Sequence, residues 1–232
     1  MTSRRRHCAL AMCLGLLLTA GSAGAQTQRS VRCEGTAYRY LLESPEGNRP
    51  KPAILLLHGS GDNGSGLFHM WRQFALVNGI VLVAPTLPRA MAFEAIAPQV
   101  FRCVVEDAKT AAQIDPKRIF VVGHSMGGYL AYDAAMFDSE YFAAVVVHAA
   151  AIDDEFVGIL DHAHRRIPIA IYIGDQDQLV PIESVRKTRD LLTKAGFPIE
   201  YEELKGHDHF YETLVDPLNR AAWKFLEAHP LP

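Results

Sequence analysis

From residue 53 onward, short runs rich in apolar residues alternate with longer stretches in which apolar positions recur at helical spacing. The runs at 53–57, 80–84, 119–123, 143–148, 169–174 and 199–204 are each too short for a helix. They predict the strands of a parallel sheet buried under helices on both faces. The stretches between and after them predict helices at 67–77, 99–113, 127–137, 182–195 and 217–227, with a short one near 155–163. Before this array, 36–43 reads as an edge strand, followed by the turn residues Ser44-Pro45-Glu46-Gly47-Asn48. An antiparallel opening to the sheet follows from that turn. The class is α/β, and in an open sheet of this kind ligands bind beyond the carboxyl ends of the strands.

Residues 1–25 break the pattern. Arg4, Arg5 and Arg6 precede an apolar run from 9 to 19, and Ala23-Gly24-Ala25 supplies a small-x-small site. This predicts a secretory signal peptide cut near Ala25, leaving 26–232 as one domain exported to the periplasm or the exterior. The run is shorter than the roughly 20 residues a bilayer span needs, so no membrane anchor is expected after cleavage. Cleavage removes three arginines and no acids, taking the formal charge from −3 to −6. Nucleic acid is therefore not an expected partner, and the oligomeric state is left open. Two of the four cysteines leave with the signal, so Cys33 and Cys103 enter an oxidising compartment. Both a bridge and two separate buried thiols fit, because spacing gives no Cα separation.

The residues that end the strands supply the chemistry. His58-Gly59-Ser60-Gly61 ends the first parallel strand, and Gly123-His124-Ser125-Met126-Gly127-Gly128 ends the third. Gly174-Asp175-Gln176-Asp177 ends the fifth, and Gly206-His207-Asp208-His209 follows the sixth. Gly123-x-Ser125-x-Gly127 between a strand and a helix matches a nucleophile elbow, whose small flanking residues let the chain turn sharply and raise the hydroxyl above the sheet. A serine hydroxyl needs a base to take its proton and an acid to hold that base in the right tautomer. Asp177 is the expected acid, with Asp175 shaping the turn. His209 is the expected base and His207 the alternative, since only one ring can reach Ser125. The oxyanion donors expected are the backbone N–H groups of Met126 and Ser60. The segment 85–98, with Met91 and Phe93, is the expected wall of the substrate site.

These residues resemble the α/β-hydrolase family over about 36–228. Ile114-Asp115-Pro116-Lys117-Arg118-Ile119 followed by the elbow is similar to esterases grouped with polyhydroxybutyrate depolymerases, feruloyl esterases and dienelactone-hydrolase-like enzymes. It is also similar to the catalytic domain of prolyl oligopeptidase-type peptidases. The resemblance implies the α/β-hydrolase fold and cleavage of a carboxylic ester, on a small molecule or a polymer, through an acyl-enzyme. Between the fourth and fifth strands only 149–166 is available, too little for the helical lid of many lipases. An open site without a large lid domain is expected. The peptidase alternative is weakened because no propeller or gating domain is present in the sequence.

Two other classes compete. Gly59-Ser60-Gly61-Asp62-Asn63-Gly64 matches a dinucleotide glycine pattern, but the next strand ends Val83-Ala84-Pro85-Thr86, without the acid that would bind ribose. His207-x-His209 and His162-x-His164 could ligate a metal, yet their spacing fits no strong metal motif. His162 and His164 read instead as the polar face of a surface helix. A non-catalytic binding protein is disfavoured by the ordered Ser, Asp and His set. No cofactor and no metal are expected.

Overall fold

The computed structural model describes residues 25–87 and 96–232. Eight strands form one sheet in the order β1-β2-β4-β3-β5-β6-β7-β8. They are β1 (Ala25–Cys33), β2 (Thr36–Ser44), β3 (Lys51–Leu57), β4 (Val81–Pro85), β5 (Ile114–His124), β6 (Val145–His148), β7 (Ile169–Gly174) and β8 (Ile199–Leu204). Pairing is antiparallel from β1 to β2 and from β2 to β4, and parallel across the rest. The helices are α1 (Ser65–Asn78), α2 (Gln99–Lys109), α3 (Met126–Phe137), α4 (Ile182–Lys194) and α5 (Val215–Glu227).

Continuous apolar runs form these central strands because each strand is covered twice. Leu55, Leu57, Val83, Val121 and Ile171 face a core shared with Phe101 of α2, Leu130 of α3 and Val185 of α4. Their neighbours Ile54, Leu56, Leu82, Val122 and Ala170 face a second core with Trp71 of α1 and Leu218 and Phe225 of α5. Side chains alternate across a strand, so one run serves both layers.

The expected elements are present, with shifted ends. Helix α2 stops at Lys109 rather than 113, and β5 starts five residues earlier than expected, at Ile114. The short helix near 155–163 is a 3₁₀ helix, Asp154–His162. His162 lies there with its ring stacked on Phe137, centroids 4.2 Å apart. β1 was not expected: Gln26 to Arg32 is polar apart from Val31, since an outermost strand needs no apolar run. Its turn does carry a signal. Glu34 and Gly35 hold φ of 47° and 79°, so two residues in the left-handed region join Cys33 to its partner Thr36. That is the geometry of a tight hairpin whose backbone twist matches its strands.

The hairpin also answers the cysteine question. Cys33 at the end of β1 is bridged to Cys103 on α2, with Cα atoms 6.1 Å apart. Among the described residues, no helix is long and apolar enough to cross a membrane, and 149–166 holds no large lid.

Candidate active site

Ser125 sits between β5 and α3 with φ 52° and ψ −118°, a conformation L residues rarely adopt. Its N–H donates to His148 O at 2.9 Å, and its carbonyl accepts from Gly128 and Tyr129 N–H at 2.8 and 3.2 Å. Glycine flanks it because backbone fills the space a side chain would need. A Cβ on Gly127 would lie 1.9 Å from Leu57 O, and one on Gly123 would lie 2.1 Å from Gly127 O. The elbow is thereby locked against β3, and the hydroxyl points above the sheet.

From β7 the chain turns at Asp175 and Asp177. Asp175 Oδ1 accepts from Gly206 N–H at 2.7 Å and ties the β7 turn to the β8 turn. Asp177 Oδ1 accepts from Leu179 and Val180 N–H at 2.8 and 2.9 Å, leaving Oδ2 for His209 Nδ1 at 2.8 Å. The Asp177 side chain is fully buried. His209 Nε2 stands 2.9 Å from Ser125 Oγ. Ser125, His209 and Asp177 are thus joined in one hydrogen-bonded line.

His207 points elsewhere. Its Nε2 lies 3.0 Å from His148 Nε2, and its Nδ1 lies 3.2 Å from Thr213 Oγ1. The loop after β3 passes beside the serine: a Cβ on Gly59 would sit 3.4 Å from Ser125 Cβ. Ser60 follows Gly59 on that loop, and Met126 opens α3. Met91 and Phe93 lie outside the described residues.

Three further histidines crowd the strand ends, and sequence reasoning gave none of them a role. His58 is buried at the end of β3, with Nδ1 2.8 Å from Gly59 O and Nε2 accepting from Leu87 N–H at 2.9 Å. Those partners require the proton on Nδ1. His124 Nδ1 meets His148 Nδ1 at 2.9 Å, and the His124 ring is 5.2 Å from that of His209. Tyr211 lies edge-on to both His124 and His148. Burial lowers His58, His148 and His207, and takes His124 down to about 4, with the neighbouring His209 adding to the effect. These rings are neutral at pH 7. The signal that could have found them is simple: each of His58, His124 and His148 closes or immediately follows an apolar strand.

A model described as the alpha/beta hydrolase family matches residues 54–230. No curated protein sequence matches. Among solved structures, a thermostable esterase superposes with a TM-score of 0.70 at 22% identity, over 88% of this chain and 63% of its own. This chain therefore spans less than two thirds of that esterase. S-formylglutathione hydrolase (FrmB) from Staphylococcus aureus gives a TM-score of 0.76 at 19% identity, covering 90% of this chain and 99% of its own. Est1E from Butyrivibrio proteoclasticus gives 0.67 at 16%, covering 89% and 98%. At such identities the likeness is one of fold.

Proposed function

This chain belongs to the alpha/beta hydrolase family, and from that premise we propose that it hydrolyses carboxylic esters with Ser125 as nucleophile, His209 as base and Asp177 as orienting acid. The observation that carries the reading is the continuous line from Ser125 Oγ through both nitrogens of His209 to a buried Asp177. Ser125 Oγ attacks the ester carbonyl while its proton passes to His209 Nε2. Asp177 holds the proton on Nδ1 and stabilises the imidazolium that forms. The backbone N–H groups of Met126 and Ser60 receive the oxyanion, a role in which one donor is worth about 3 kcal/mol of barrier. Collapse breaks the ester C–O bond, and His209 returns its proton to the departing alkoxide. Water then attacks the acyl-serine by the same steps in reverse, releasing the acid.

The absence of a large lid among the described residues supports an exposed ester, on a small molecule or a polymer. The Cys33–Cys103 bridge supports export, since such bonds persist in oxidising compartments.

Treatment with a fluorophosphonate probe followed by peptide mapping tests the nucleophile, with the adduct expected on Ser125 and none on Ser125→Ala. Hydrolysis of p-nitrophenyl acetate should fall by at least 10³ in kcat for Ser125→Ala and His209→Ala. His207→Ala should retain most turnover. If His207→Ala is the inactive variant and His209→Ala is not, the assignment of the base is wrong.

A further inference from the structure

Along α3, next to the elbow, a cavity of about 460 Å³ opens between that helix and the segment following β6. Its wall is largely apolar and aromatic, with Tyr129, Tyr132, Phe137, Ile152 and Phe156 in it. The charged residues lining it, among those described, are Asp133 and Asp153, with no Lys, Arg or His. Neither carboxylate has a hydrogen-bond or ion-pair partner among the described residues. Asp133 is held largely out of water, and burial pushes its carboxyl up to about 6. A desolvated carboxylate without a partner is costly, and an apolar substrate tail would leave that cost in place.

One residue of the cavity wall, Tyr129, is tied to the elbow. Its N–H donates to Ser125 O, and its phenol, raised chiefly by burial, is raised further by the carboxylates of Asp153 and Asp177. Asp133 lies eight residues beyond Ser125, roughly 12 Å along the helix axis. A group reaching Asp133 from the scissile carbonyl therefore sits on a spacer several methylenes long, in a cavity that Tyr129, Tyr132 and Phe156 also line, and aromatic rings attract cations.

We propose that this cavity binds an organic ammonium group carried by the ester substrate, with Asp133 and Asp153 as its counter-charges. The proposal rests on the reading of Ser125 as the esterase nucleophile. It makes the chain selective for cationic esters over neutral ones of the same shape.

Three ligands of matched length, n-hexyltrimethylammonium, heptan-1-ol and heptanoate, separate the cases. Each is titrated by calorimetry into the purified protein and used as a competitor of p-nitrophenyl acetate hydrolysis. The ammonium should bind at least tenfold more tightly than the alcohol, the carboxylate most weakly, and the ammonium should compete. Asp133→Asn should bring the ammonium-to-alcohol affinity ratio close to one, and Asp153→Asn, at an exposed position, should reduce it. That ratio is internal to each variant, so a changed yield of folded protein does not move it. Equal affinity of alcohol and ammonium for the unaltered protein overturns the proposal, as does an unchanged ratio in Asp133→Asn. Ammonium binding that does not compete removes the cavity from the substrate's path. Selective, Asp133-dependent ammonium binding by a protein that neither hydrolyses the ester nor labels Ser125 overturns the esterase reading while keeping the cation site.

Discussion

Gly123, Gly127 and Gly128 hold Ser125 in place by what they lack. Neither Gly123 nor Gly127 has a positive φ; the constraint is crowding, with backbone atoms about 2 Å from where each Cβ would stand. Gly127→Ala should therefore force β3 and α3 apart and cost more than about 3 kcal/mol, read as a lower urea midpoint or loss of soluble protein. Gly158→Ala, where an added Cβ meets nothing within 4 Å, should stay within about 0.5 kcal/mol. Equal effects of the two would refute the steric account. Ser125 stores strain of its own at φ 52°, so Ser125→Gly should be inactive yet more stable than Ser125→Ala by about 1 kcal/mol. At this scale the sequence was informative where a residue type, a motif and a strand end coincide, as at Ser125 and Asp177. It left His209 against His207 open because both occupy one loop, and only the path of that loop decides which ring turns toward the serine. Asp133 carried no signal at all, since a single acid in a helix does not reveal what it faces.

Neighbouring strands bring together histidines that are far apart in sequence. His124 and His148 are register partners on β5 and β6, and His207 arrives from beyond β8 to complete the row His124–His148–His207–Thr213. Strand order made this row, and strand order is not written in any one strand, so the row was invisible before the fold. Each N···N contact accommodates one proton, so an added proton sets donor against donor. The folded values of His58, His124, His148 and His207 lie below the ordinary 6.5, so as pH falls the unfolded chain takes up protons first. Stability is then lost from about pH 6.5 downward, and for His124 until about pH 4, at about 1.4 kcal/mol per pH unit for each excluded proton. Asp133 and Asp138, raised by burial, act in the opposite direction. Four histidines outweigh two carboxyls, and a net fall is expected. The urea midpoint should be level between about pH 7 and 9 and clearly lower at pH 5, a window above that of ordinary carboxylates. Coincident unfolding curves at pH 7.5 and 5 would show that these rings titrate normally.

For the molecule as a whole, the β1–β2 hairpin is an edge fastened at two levels. Arg29 of β1 donates to Tyr40 of β2 and to Asp107 of α2, and Tyr40 donates to the same carboxylate. Beside this cluster, the bridge from Cys33 to Cys103 spans 70 residues of chain. Counting cysteines raised this bridge as one of two outcomes, but a 6.1 Å Cα separation exists only once the polar strand β1 has paired. Closing a loop of this length removes denatured-state entropy worth about 4 kcal/mol. Cys33→Ala/Cys103→Ala should therefore unfold at lower urea, and dithiothreitol should move the unaltered protein toward the same midpoint. Activity should respond differently. β1 lies four strand spacings from β5, roughly 19 Å across the sheet, and none of the groups aligned at Ser125 comes from the hairpin. At 25 °C the double variant should hydrolyse p-nitrophenyl acetate with kcat within twofold of the unaltered protein, while its unfolding midpoint falls. If stability is unchanged, the bridge adds nothing the cluster of Arg29, Tyr40 and Asp107 does not already supply. If kcat collapses while the protein remains folded, the edge hairpin and α2 set the geometry at Ser125, and the separation of a stabilising edge from a reacting centre is wrong.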